Sequence, residues 1–373
     1  MLPKNSWEIL IKRLKQYWGY NMTTIADNLL ELQATKQNIK TAIESKGQDL
    51  ENVAFTEYAN KIASISTRED LNAELNEQET LLEELTKNAS AFPDNEVPDY
   101  LARSIDENAE PYEYEVPEYI TQITENAFGN DLALTKLTIN CPNMLNSRGY
   151  MCSNCKNLKE AYLPYMQTTT LGRDFQSCIK LVKLYVPRIK FLGNTGLGWC
   201  SSLKYLQCES LESLSMTQTM IGCSSFITLY TPKLTKFAGG NSTQGMTALK
   251  DVIIGTSNCT FNELLVAGVM EDANARFYVK PEYVETYKVA TNWVTYADKI
   301  VGYEEQTIKK GDIISLTGGS SYELSISWYD NVEECANLIG NTLTAVDTGI
   351  VLVRVLDENG SVTNGIVYRI EEA

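Results

Sequence analysis

One line of sequence is written again and again between about residues 128 and 254, and this repetition limits the fold more than any other feature. In its fullest copies an aromatic residue or Met is followed three positions on by Cys, and three further on by an apolar anchor. Phe175, Cys178 and Leu181 make one copy, and Met220, Cys223 and Phe226 another. In the first copy, Phe128, Asp131 and Leu134, Asp takes the Cys position. The anchors Leu134, Leu158, Leu181, Leu203, Phe226 and Leu249 are separated by 24, 23, 22, 23 and 23 residues. Just beyond each anchor an alternating apolar pair, such as Leu184 and Val186, spells one short strand. Pro164, Pro187 and Pro232 follow the strand and stop it, because proline has no amide hydrogen for the ladder. A unit this short cannot bury its apolar face alone, so the copies must stack into one long core.

A sustained period in the low twenties with leucine at fixed offsets is the mark of a leucine-rich-repeat solenoid. The aromatic–Cys–Leu spelling resembles the bacterial BspA-type leucine-rich repeat. So does the end of the array, where Phe277, Tyr278, Val279, Pro281, Tyr283 and Tyr287 lead to Asn292, Trp293, Tyr296, Lys299 and Ile300. That stretch is similar to the strand and terminal helix that close such arrays. The resemblance covers residues 117–304. It implies a fold and a habit of binding partners, not a reaction.

Composition supplies exclusions. The chain has no histidine, which removes Ser–His and Cys–His nucleophile pairs, histidine acid–base chemistry and histidine metal sites together. A net charge of −16 speaks against nucleic-acid binding, which needs a basic face. It fits a solvated acidic surface. No run approaches the ~20 apolar residues of a membrane-spanning helix. Of the nine cysteines, Cys155, Cys178, Cys200 and Cys223 fall at one repeat position. They are expected as a column of small buried thiols. Cys152 and Cys155 form a CxxC, but no second pair has metal-site spacing, so no metal or cofactor is expected.

Outside the repeat the chain reads as three further regions. Residues 1–90 are expected to be a helical anchor with a coiled-coil segment. Trp7, Leu10, Ile11, Leu14 and Trp18 share one face of a basic amphipathic helix. That face suits docking on a larger assembly and equally a membrane surface. Charges interrupt every apolar run, so it is not read as a signal peptide, and Met22 offers a second start. A helix carrying Ile25, Leu29, Leu32, Ile39 and Ile43 ends at Lys46 and Gly47, a cation and a left-handed glycine stop. Phe55, Tyr58, Lys61 and Ile62 follow. This unit resembles a small module common in bacteriophage tail-fibre and related virion proteins. Leu71, Leu75, Leu82 and Leu85, with Gln78 filling one step, give a heptad seam for oligomerisation. Packing of that seam against residues 25–65 is the other reading. The resemblance to phage fibres implies a homotrimer.

Residues 91–116, broken by Pro93, Pro98 and Pro111 and rich in Asp and Glu, are expected to be an acidic linker. Residues 305–373 hold six or seven short β segments with Trp328 at their centre, and Asp357 to Gly360 signal a hairpin. They resemble a bacterial immunoglobulin-like β-sandwich. The expected fold class is thus multidomain, α then β: helical coiled-coil region, BspA-type solenoid, then sandwich.

Aligning the repeats puts Tyr162, Tyr185 and Tyr230 at one outward strand position, with Gln207 between them. Flat aromatics in a row suit stacking on sugar rings or on a partner surface. They also serve as cross-strand pairs that steady a sheet. No catalytic, cofactor-binding or metal-binding residue stands out, so an enzyme is not expected. The resemblances together imply a non-enzymatic phage virion protein. Its N-terminus would hold other virion proteins, and its outer domains would bind host-surface glycan or protein, with no nucleic acid or membrane as partner. A BspA-type bacterial surface adhesin, or a virion spacer that binds no host, are the alternatives.

Overall fold

The computed structural model describes residues 23–44, 96–97 and 108–373 of the chain, apart from short stretches at 144–145, 148, 167–169, 215–216, 238–240, 262–264, 266–268 and 332. The chain divides into two compact units, one of residues 1–96 with 119–121 and one of 97–118 with 122–373. In the first, α1 (Thr23–Glu44) buries Ile39 and Ile43 and carries a Lys40–Glu44 pair one turn apart.

The second unit is built of coils. Each supplies a front strand and, after a turn, a two-residue back strand. In chain order these are β1 (Tyr112–Val116) and β2 (Gln122–Ile123), β3 (Leu134–Ile139) and β4 (Asn146–Ser147), β5 (Glu160–Tyr162) and β6 (Thr170–Leu171), β7 (Lys183–Tyr185) and β8 (Phe191–Leu192). Then come β9 (Tyr205–Gln207) and β10 (Ser213–Leu214), β11 (Thr228–Thr231) and β12 (Lys236–Phe237), β13 (Asp251–Ile254) and β14 (Thr260–Phe261), and β15 (Arg276–Val279). Front strands pair in parallel at the repeat spacing: Leu137 sits beside Ala161, Ala161 beside Leu184, and Leu184 beside Leu206. The repeat period and the sheet register are one quantity. The first coil starts before residue 117, inside the expected acidic linker. Tyr112, Tyr114 and Val116 alternate with Glu113 and Glu115, and this alternation makes β1 a partner for β3.

The cysteines stand in file inside the coils. Cys155, Cys178, Cys200 and Cys223 are fully buried, and each thiol donates to a carbonyl of the coil before it. The acceptors are Phe128, Cys152, Phe175 and Leu197, at 2.9, 3.0, 3.0 and 3.1 Å. At the head of the file Asp131 replaces Cys, and its carboxylate accepts the amides of Ala133 (2.9 Å) and Leu134 (3.0 Å). The turn behind each front strand holds two left-handed residues four apart. They are Asn126 and Asn130, Tyr150 and Asn154, Arg173 and Ser177, Thr195 and Trp199, with φ from 51° to 62°. Side-chain-bearing residues tolerate this backbone at a cost of about 1–2 kcal/mol each. Here the amides are tied to the next coil, Asn130 to Ser153, Asn154 to Gln176 and Ser177 to Gly198, each at 2.8 Å.

The last coil is closed by β15 and α2 (Val284–Val289). Trp293 is buried among Phe237, Phe261, Phe277 and Tyr287 and donates its indole N–H to the Cys259 carbonyl at 2.8 Å. The sheet does not end there. β16 (Ile300–Lys309) pairs in parallel with β15 and carries the chain across the expected boundary at 304/305. β17 (Ile313–Ser315), β18 (Ser321–Tyr329), β19 (Ala336–Ile339), β20 (Thr342–Ala345), β21 (Gly349–Leu356) and β22 (Val362–Glu371) follow. They make one seven-stranded sheet, β11-β13-β15-β16-β22-β21-β18, and a three-stranded one, β17-β20-β19.

The expected fold class is corrected by these elements. The protein is mostly β. The α-helices among the described residues are α1 and α2, and no N-terminal helical coiled-coil region is evident among them. Trp7, Leu10, Ile11, Leu14 and Trp18, and Leu71, Leu75, Leu82 and Leu85, lie outside the described residues. The physical reason is where the apolar surface goes. The described core sits on short strands, and the C-terminal strands extend the solenoid's own sheet while enclosing a further core, with Leu316, Leu343, Val351, Val353 and Ile370, between that sheet and β17-β20-β19. Trp328 does not belong to that core: it clusters with Tyr205, Tyr230, Ile253 and Tyr278 of the solenoid.

The long sheet bends back on itself, so that β18 lies over the front of β9 and β11. Tyr329 meets Tyr205 edge-on at 4.8 Å, and Ser325 shares a hydrogen bond with Thr228 at 2.6 Å. Gly365 in β22 makes the bend possible, because a Cβ there would stand 2.6 Å from the Tyr278 ring. Gly365→Ala is expected to lower stability by about 1–3 kcal/mol through overpacking, read as a lower urea midpoint with an unchanged slope. All nine cysteines are free and buried, and burial pushes the Cys200 thiol up to about 12. A small thiol reagent should therefore label almost none of them in the native protein and all nine in denaturant.

Candidate partner-binding face

Two rows of side chains run along the front of the coils. The first is Glu115, Thr138, Tyr162, Tyr185 and Gln207, each beside the next. It resumes as Tyr230, Ile253, Tyr278 and Val301. The second is Glu113, Lys136, Glu160, Lys183 and Tyr205, continued by Thr228, Asp251 and Arg276. Charges alternate along the start of the second row, as cross-strand pairing favours.

The folded-back sheet divides these rows into a covered and an open part. Tyr230 is buried, and its hydroxyl donates to Glu305 at 2.6 Å. Burial, then the Glu305 carboxylate, pushes that phenol well above its ordinary value. Gln207 is half-buried and donates to Glu209 at 3.1 Å, which in turn takes Arg369 at 2.8 Å. Tyr185 is half-buried, lies 5.3 Å from the Trp328 ring, and stacks on Tyr162 at 4.4 Å with 16° between the planes. Tyr162 is 41% exposed. The four aromatic-row candidates thus share one face, but only Tyr162 presents much of its ring to solvent. Glu113, Glu115 and Glu160 are exposed beside it, and Lys136 and Thr138 are half-buried.

A step stands at the edge of the covered part. Lys183 donates to the Asp330 carbonyl at 2.8 Å and lies over the rings of Trp328 (4.6 Å) and Tyr329 (4.0 Å). Burial lowers its pKa. Tyr205 donates to Glu333 at 2.5 Å. The open ledge is thus floored by β1, β3, β5 and β7 and walled by the loop after β18. It presents a two-ring aromatic platform and a row of alternating charge. Among the described residues no group of three or more His, Cys, Asp or Glu could hold a metal.

Deeper in, the covered face is locked by an ion pair. Asp251 and Arg354 are buried with Nε and Oδ1 3.4 Å apart, Tyr278 donates to Asp251 at 3.1 Å, and Arg354 also reaches Glu323 at 2.7 Å and the Asn274 carbonyl. Burial pushes the Asp251 carboxyl up, and Arg354 pulls it back. Sequence reasoning missed the meeting of Lys183 with Trp328, Arg354 with Asp251 and Arg369 with Glu209, because these contacts span about 100 residues or more. A signal did exist. β11, β13 and β15 are buried at every position, and Tyr230, Ile253 and Tyr278 give their outward face a row of large apolar residues beside Thr228, Asp251 and Arg276.

Solved structures similar to this chain are leucine-rich-repeat proteins. One is a leucine-rich repeat protein from Bacteroides ovatus, 21% identical over 42% of this chain and 39% of that chain, with a TM-score of 0.36. InlP of Listeria monocytogenes is 11% identical over 69% of this chain and 89% of that one, TM-score 0.28. The functional domain of InlJ from the same organism, described as including a cysteine ladder, is 11% identical over 66% and 49%, TM-score 0.16. This chain spans about two fifths of the length of the Bacteroides protein. A scan against protein-family models finds no match, and neither does a search of curated proteins.

Arg354→Met leaves Asp251 buried without its cation and is expected to cost about 3–5 kcal/mol. Replacing both, Asp251→Leu with Arg354→Met, should recover at least half of that loss in the same urea titration.

Proposed function

We propose that this chain is a non-enzymatic adhesion protein whose open front ledge holds a host-surface glycan or protein. The observation that carries the reading is the state of the aromatic row. Its later members are used up by the chain's own C-terminal sheet, while Tyr162 is left exposed and is held flat by its stack on Tyr185. A ring fixed in this way loses little side-chain entropy on meeting a sugar face or an apolar partner. The alternating charges of Glu113, Lys136, Glu160 and Lys183 supply polar contacts around it.

The finer reading places this adhesion module on a phage virion, held to other virion proteins by its N-terminus and assembled as a homotrimer. Its support is the resemblance of residues 23–65 to a fibre module. A BspA-type bacterial surface adhesin would use the same ledge. The spacer reading draws on a different observation, that Tyr185, Gln207 and Tyr230 are engaged within the chain itself.

Fluorescently labelled full-length protein applied to a glycan array and to a panel of bacterial cells decides between adhesion and spacing. Binding that falls at least tenfold in Tyr162→Ala, with thermal melting unchanged, is the expected result. No binding to any glycan or cell favours the spacer, and binding untouched by Tyr162→Ala removes the ledge from the proposal.

A further inference from the structure

The C-terminal strands hold a second feature that adhesion through the ledge does not use. β18 is the edge of the seven-stranded sheet, paired only with β21, and β19 is the edge of the three-stranded sheet, paired only with β20. The two edges wall one open cleft of about 1020 Å³, with residues 316–320 along its floor. Gly318 and Gly340, both with positive φ, stand at the turns that bound it.

The side chains facing the cleft belong to a core that is not closed. Tyr322, Leu324 and Ile326, alternate residues of β18, pack against the inner cluster of Val351, Val353 and Leu343, as Leu338 of β19 does. In a filled sandwich such positions are buried. Here all four are only half-buried. A row of apolar side chains two residues apart, next to a strand edge with no partner, is what an added strand would cover. Polar groups at the cleft are mainly main chain and the hydroxyls of Ser320 and Ser321. The only charged residues lining it are Glu323, shared with Arg354, and Glu334. No Lys or Arg lines it, and the chain as a whole carries −16.

We propose that this cleft is a peptide-binding site that works by β-strand addition. Its occupant is an extended segment of a partner protein, apolar at alternate positions and bearing Lys or Arg between them. The peptide's main chain pairs with the free edge of β18, which supplies affinity without reading sequence. Its alternate side chains enter between Leu324, Ile326 and Leu338, and its basic residues face Glu334 and the acidic surface. A second copy of this chain is disfavoured as occupant by like charge on both partners.

The test uses the full-length protein and a labelled nine-residue peptide alternating lysine and valine. Two control peptides accompany it. In one, prolines replace alternate residues and remove the amide donors; in the other, glutamate replaces lysine. Binding is read by fluorescence anisotropy, and hydrogen exchange of peptic fragments covering 321–326 and 336–339 reports the place. Saturable binding that slows exchange over 321–326, with both controls at least tenfold weaker, is expected. Leu338→Lys should weaken the lysine–valine peptide by a similar factor while leaving the melting temperature and any ledge binding unchanged. No binding at millimolar peptide, equal binding by the proline control, or slowed exchange confined to other segments would overturn the proposal. Slowed exchange over 321–326 that rises with protein concentration alone would overturn it too, because the occupant would then be a second copy.

Discussion

The coil-on-coil hydrogen bond is the interaction on which the long body rests. The front strands pair only with strands of other coils, and the turns, although they hold some bonds of their own such as Gly129 to Asn126, send further amides to the next coil. Asn130 reaches Ser153, Asn154 reaches Gln176 and Ser177 reaches Gly198, so every coil is completed by the next one. The cysteine file follows the same rule, with each thiol giving its proton to the coil before it. The offsets between paired front-strand residues, Leu137 to Ala161, Ala161 to Leu184 and Leu184 to Leu206, are therefore the same 24, 23 and 22 residues that separate the anchors.

A stack of this kind has two ends with unpaired backbone, and this chain treats its C-terminal end in an unusual way. Trp293 and its aromatic neighbours close the apolar interior, but the sheet is prolonged by β16 and returns across the front. The return converts an outward surface into a second core made of Tyr205, Tyr230, Ile253, Tyr278 and Trp328. The Asp251–Arg354 pair sits within that core. Its worth is orientation more than net stability, since burying both charges offsets much of their attraction. The consequence is a shorter open face, reduced to the first four coils and bounded by Lys183 and Trp328.

Much of this was legible in residues taken in order. The anchors from Leu134 to Leu249 gave the coils, Cys155 to Cys223 the buried file, and Trp293 the cap. Tyr162, Tyr185 and Gln207 stand side by side on successive strands, because a parallel register copies each repeat position onto the next strand. The α-then-β fold class failed because heptad leucines and an amphipathic helix are local patterns, whereas the apolar surface that organises the described body is carried by strands. β1 was hidden by its own acidity: Glu113 and Glu115 point outward between Tyr112, Tyr114 and Val116 and read as linker.

What the amino-acid sequence settled by itself is therefore whatever repeats, since periodicity is a local property that any later copy restates. Strand register within the repeat, the thiol column and the shared position of Tyr162 and Tyr185 all follow from it. Which tyrosine is left open to solvent was decided only in three dimensions. So were the switch of Trp328 from sandwich core to solenoid cover and the meeting of Arg354 with Asp251. These contacts join residues about 100 or more positions apart that belong to no common period. Nothing in either segment alone announces the other, and only the bend in one continuous sheet brings them together.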